Sequence, residues 1–306
     1  GAILSYLSLK KENFYMVENT VDGKFFVTAR GWEDLSEILK SYEELQVEIG
    51  EELIGEFLQK EEIARDFAGY YRLYEKYKSD YQIQEILDGN VISGQLKTCC
   101  DMGKKASFEE RFTVTEMLLE AVTERISVFQ KIDEKTEKLY ENLKLLKIFL
   151  QEKNSVEAME QFVASRRKAL DAKICSELLT AEEAAREEEQ IRILEEYFFQ
   201  LKELHISDVA EGIEQIGERF GNVCRLRNEK LEETKKMLEQ AFSFLEECFG
   251  EGQELLLFET GLTGDDRCSI FISQYGCPSY FKHCELLLYS KKENELRKEC
   301  RDLLEE

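Results

Sequence analysis

The chain has 306 residues, 43% of them hydrophobic, and a formal net charge of −23. That composition can build a core for one large domain or two smaller ones and excludes a disordered chain. The negative field disfavours nucleic acid and anionic membrane surfaces as partners, and no apolar run reaches the roughly 18–20 residues a bilayer span requires.

The first residues, Gly1 to Tyr6, lack the basic start of a secretory leader. Nine cysteines, an odd number without a spacing framework, read as free thiols in a reducing, cytoplasmic setting. The single proline, Pro278, leaves most of the chain open to long uninterrupted helices.

Ile3, Leu4, Leu7 and Leu9 predict a short opening helix. "FYMVENTVDGKFFVT", Phe14 to Thr28, reads as a β-hairpin whose turn falls at Asp22-Gly23. A helix is expected over Glu33–Leu45, with Leu35, Ile38, Leu39, Tyr42 and Leu45 on one face. A short helix over Glu51–Leu58 and a longer one over Glu61–Tyr81 follow. The stripe Tyr70, Tyr71, Tyr74, Tyr77 and Tyr81 on the latter is read as core or interface rather than as a stacking platform.

Beyond about Val91 the composition shifts to Glu, Lys, Leu and Gln. Leu118, Val122, Phe129, Ile132, Leu139, Leu143, Leu146 and Leu150 set out a long helix. Asn154-Ser155 marks a break and a cap before a helix through Phe162, Leu170 and Ile174. Thr180-Ala-Glu-Glu183 is a capping box for a helix carrying Ile191, Leu194, Phe198 and Leu201. Ser207 or Asp208 caps the last long helix, whose stripe runs from Val209, Ile213 and Ile216 to Phe242, Leu245 and Phe249. In the tail, Leu255–Phe258 suggests a strand, Asp265 or Asp266 a cap for a helix through Ile270, Phe271 and Ile272, Gly276 its end, and Pro278 the start of a helix over Tyr280–Tyr289.

The expected fold is therefore mainly α: a small helical subdomain with a β-hairpin over residues 1–88, an antiparallel long-helix bundle or coiled coil over 89–250, and a short α(+β) tail over 251–306 packed on one of them.

Chemical motifs are sparse. "FGEGQE", Phe249 to Glu254, has glycines but no lysine to cradle phosphates, and reads as a helix-ending turn. His205 and His283 lack a nucleophile and third partner and read as surface or structural residues. Cys268, Cys277, His283 and Cys284 lack the spaced pair that a zinc knuckle needs. Cys99-Cys100 reads as two small buried hydrophobes.

One residue stands apart. Arg30 precedes Gly31 and the sole tryptophan, Trp32, at a helix entrance. Its plain role is a surface ion pair with Glu33 or Asp34. The alternative is an anion contact, because the helix dipole and a forked guanidinium both favour phosphate there.

"FVTARGWEDLSEIL", Phe26 to Leu39, resembles the sensor-2 segment in the lid of MoxR-type AAA+ ATPases, where a stretch like T/S-P-R-x-W-E-x-L-S opens a lid helix. Thr28, Arg30, Trp32, Glu33, Leu35 and Ser36 match, with Ala29 in place of the common proline. "ILSYLSLKKENFYMVENTVDGKFF" resembles the link from ATPase core to lid, and "IARDFAGYYRLYEKYKSDYQI" the later lid helices of a bacterial subgroup. The resemblance covers about Ile3 to Leu87; the helical remainder resembles, more weakly, that subgroup's C-terminal extension.

The resemblance implies that Arg30 contacts the γ-phosphate of ATP, bound with Mg in a core carrying Walker A, Walker B, sensor 1 and an arginine finger. None of these motifs is in this sequence. It implies neighbouring AAA+ subunits, a hexamer by family habit, and a client protein. The chain alone is expected to bind no cofactor and to hydrolyse no ATP. The competing expectation is a stand-alone helical scaffold.

Overall fold

A computed structural model describes residues 1–20, 23–89, 93–150 and 154–288. The fold is mainly α with one small antiparallel hairpin. By its contacts the chain forms two compact units: Gly1–Arg125 with Lys235–Glu306, and Ile126–Thr234. None of the described helices is long and apolar enough to cross a membrane.

The first unit opens with α1 (Ala2–Leu9), a short 3-10 turn (Lys11–Phe14) and the hairpin β1 (Met16–Thr20) and β2 (Gly23–Val27). The register pairs Met16 with Val27 and Thr20 with Gly23. Gly23 thus belongs to the strand rather than the turn, and Asp22 lies outside the described residues. Next come α2 (Ala29–Glu44), α3 (Glu51–Phe57) and α4 (Glu61–Tyr81).

Helix α2 begins four residues before the expected Glu33. Thr28 Oγ1 accepts from the Gly31 amide at 3.2 Å, and this cap starts the helix earlier than its apolar periodicity does. Tyr6, Trp32 and Phe67, from α1, α2 and α4, form an aromatic cluster with centroids 5.2–5.8 Å apart. Tyr71, Tyr74 and Tyr81 are buried, as the core reading of the tyrosine stripe requires.

Helix α5 (Ile83–Asp88), and α6 (Ser93–Gly103), which carries Cys99-Cys100, precede α7 (Phe108–Phe149). The first unit is completed by the C-terminal part of α10 (Val209–Phe249), then α11 (Gln253–Gly264), α12 (Asp266–Tyr275) and α13 (Pro278–Leu288).

The strand expected at Leu255–Phe258 is wrong. These residues lie in α11, where Leu255, Phe258 and Leu262 are buried and Leu256 is exposed. That i, i+3, i+7 burial belongs to a helix face; a strand would bury alternate residues. Asp265 caps α12 through the amides of Arg267 and Cys268, and Gly276 ends it with φ at +77°, a conformation open to glycine. Tyr289 and the residues after it lie outside the described set.

The second unit is built from the rest of α7, α8 (Ser155–Cys175), α9 (Ala181–Glu203) and the first part of α10. Its core holds Leu139, Leu146, Met159, Phe162, Leu170, Ile191, Leu194 and Leu201. Asn154 caps α8 through the Glu157 amide, and Asp208 caps α10 through Ala210 and Glu211. At Thr180 the capping box is complete: the Glu183 amide donates to Thr180 Oγ1, and the Thr180 amide donates to the Glu183 carboxylate. The expected stripes shift slightly, because Ile174 and Ile213 are exposed in this unit, as Ile270 is in the first.

Candidate functional site

The best-defined sequence candidate, Arg30, lies in the first turn of α2. The backbone there is fixed from three sides. Trp32 is 3% exposed, packs on Tyr6 and Phe67, and donates Nε1–H to the Asn13 carbonyl at 3.3 Å. Thr28 supplies the cap. At Gly31 an added Cβ would stand 2.8 Å from the Phe57 carbonyl oxygen, so only glycine lets α2 approach the end of α3 this closely.

Trp32 is turned inward and Arg30 outward, with the Arg30 side chain 76% exposed. Its guanidinium donates through Nε to Asp34 Oδ2 at 3.1 Å and lies 2.9 Å from Asp34 Oδ1; Glu33 Oε2 is 3.5 Å away. Both carboxylates come from the same helix, so the pairing is local and solvent-screened, worth about 0.3–0.5 kcal/mol. A groove of about 910 Å³ among α1, α2, α4 and α7 is lined by Ala29, Trp32, Glu33 and Ser36, without Arg30.

The C-terminal end of α1 is anchored to α4. Tyr6 donates to Asp66 Oδ2 at 2.7 Å, and Lys10 donates to both Asp66 oxygens. Burial pushes the Asp66 carboxyl up, but the Lys10 and Tyr6 hydrogen bonds outweigh it and hold it below the usual carboxylate range.

The four residues weighed for zinc are not held as a metal set. Cys268 shares a hydrogen bond with Thr123, Cys277 donates to Glu239, and His283 pairs with Glu246. Among the described residues no three His, Cys, Asp or Glu side chains converge as a metal would require. Burial pushes the Cys268 thiol up to about 11 and the Cys277 thiol up to about 12, which disfavours the thiolate that nucleophilic chemistry uses. "FGEGQE" is a turn between helices: Gly250, with φ at +73°, follows the last residue of α10, and Gly252 precedes α11. His205 is exposed, and its φ of +55° places it in the turn after α9.

The free-thiol expectation needs correction at one place. Cys100 on α6 and Cys248 on α10 form a disulfide, both within the first unit. Cys99 beside it is buried and free, as are Cys268 and Cys277. Sequence reasoning also missed a buried titratable pair. Glu259 and His283 are each 2% exposed, and Glu259 Oε1 has no hydrogen-bond partner. His283 stacks on Phe242 with centroids 5.8 Å apart. Lys282, and after it His283, hold the Glu246 carboxyl below its usual range. Glu246, Glu259 and His283 stand on three different helices, so the grouping exists only once α10, α11 and α13 pack.

No family model, curated protein or solved structure matches this chain.

Proposed function

We propose that the chain is the lid and C-terminal helical extension of a MoxR-type AAA+ ATPase, with residues 1–88 as the lid-like subdomain. ATP and Mg would be held by a core outside this sequence. The carrying observation is Arg30 in the first turn of α2, within Thr28-Ala-Arg-Gly-Trp-Glu-Asp-Leu-Ser36, on a backbone fixed by Trp32 and Gly31. A guanidinium exposed at a helix N-terminus is suited to a phosphoryl oxygen from a neighbouring domain.

In this reading the contact forms with bound ATP and is lost on hydrolysis, so the lid shifts with nucleotide state. The helical part passes that shift to a client or a neighbouring subunit in a hexameric, cytoplasmic assembly. No role in nucleic-acid binding or membrane insertion is assigned.

The test uses a longer chain that supplies the P-loop core before Gly1. Arg30→Ala is expected to cut ATP turnover by roughly 10²-fold, the scale for losing a positioned transition-state donor. Equal turnover in that variant rejects the reading, as does Arg30-dependent ATP hydrolysis by the 306-residue chain alone.

A second reading, a helical scaffold without nucleotide chemistry, is favoured by the pairing of Arg30 with Asp34 and Glu33. It predicts no P-loop in the reading frame upstream of Gly1.

A further inference from the structure

We propose that the second unit carries a binding site for a small oxyanion, a carboxylate or phosphate, in the cavity enclosed by α7, α8 and α9. The proposal stands apart from the ATPase reading and uses none of its residues. The cavity holds about 220 Å³, and its polar lining is Lys138, Glu141, Asn142, Arg166, Lys173, Glu187 and Gln190.

The first observation is the state of Arg166. It is half-buried, its guanidinium lies 5.9 Å from the Phe162 ring centroid, and it donates Nη2–H to Asn142 Oδ1. No carboxylate pairs with it among the described residues. The other half-buried described arginines, Arg111, Arg125, Arg219 and Arg227, each have a carboxylate partner. In a chain with net charge −23, a sheltered guanidinium that has no carboxylate partner among the described residues is the exception.

The second observation is the buried polar side chains around it, one of which has an unmet atom. Asn142, a lining residue 4% exposed, accepts from Arg166 through its amide oxygen. Gln190, 5% exposed, donates to the Lys135 carbonyl while its Oε1 has no partner. Buried polar groups without partners are uncommon and costly.

Charge points the same way. Glu187 is neutralised by Lys173 at 2.6 Å, Glu141 is exposed, and Lys138 has no ion pair among the described residues. The remaining donors, guanidinium, ammonium and amide, are those that bind an oxyanion through charge-assisted hydrogen bonds. Gln190 Oε1 favours an anion that also carries a hydroxyl or amine.

Calorimetric titration of the full chain with inorganic phosphate and, separately, with malate tests this, and the two arms tell phosphate from hydroxycarboxylate. One saturable site is expected for at least one of them. Arg166→Gln should weaken it at least about 10-fold, the loss expected when a hydrogen bond to a charged group is removed. Arg192→Gln, an exposed arginine on α9, should bind as the native chain does. Circular dichroism establishes that the variants fold. If Arg166→Gln does not fold, Lys138→Gln decides and should weaken binding several-fold. No saturable binding of either anion by the native chain, or binding unaltered in Arg166→Gln or in the substitute Lys138→Gln, overturns the proposal.

Discussion

Glu259 shows what a single buried acid does to this protein. Burial pushes its carboxyl above the usual range, and the proximity of His283 lowers it only in part. Its folded pKa therefore lies above the unfolded value of about 4.3. A group shifted in that direction binds its proton more tightly in the folded state. The stability it contributes is full below the unfolded value and is lost as pH rises through the folded one. Glu259→Gln removes the titration and keeps the shape. The variant is expected to melt at higher temperature than the native chain near pH 7, with the gap closing as pH falls toward 4. A melting difference constant across that pH interval would show that the carboxyl does not titrate there. The site was illegible in the sequence, where Glu259 is one of 64 acidic residues and His283 one of two histidines.

At the scale of elements, local signals were readable and long-range ones were not. Thr180, Asn154, Asp208 and Asp265 all cap the helices that follow them, because a cap is decided by a side chain and amides two or three residues away. Replacing Thr180 with Ala should cost about 1 kcal/mol, read as a lower denaturant midpoint with an unchanged slope. The misreading of Leu255–Phe258 has the opposite origin. Four consecutive apolar residues fit a buried strand and a buried helix equally, and only the packing of Phe258 and Leu262 separates them. The start of α2 was placed late for a related reason: Ala29, Arg30 and Gly31 carry no apolar period, and the Thr28 hydroxyl alone announces the helix.

For the whole molecule, the mainly-α class with its one hairpin was legible from periodicity and from the near absence of proline. The Cys100–Cys248 link was not, since its partners stand 148 residues apart and nothing local joins them. A cross-link over so long a loop should stabilise the folded chain by about 2–4 kcal/mol, mainly by restricting the unfolded ensemble. Reductant should therefore lower the melting temperature of the native chain and leave that of Cys248→Ser unmoved. An equal effect of reductant on both would assign the change to other thiols. The cavity around Arg166 was equally hidden, because α7, α8 and α9 each supply part of it.

That cysteine pair has a topological consequence. Every residue of the second unit, Ile126 to Thr234, lies in the stretch of chain between the two linked positions. A single proteolytic cut anywhere in the unit severs the polypeptide yet leaves its two pieces tethered by sulfur. On a denaturing gel such a nicked molecule runs as one species, and it separates into two bands only after thiol is added.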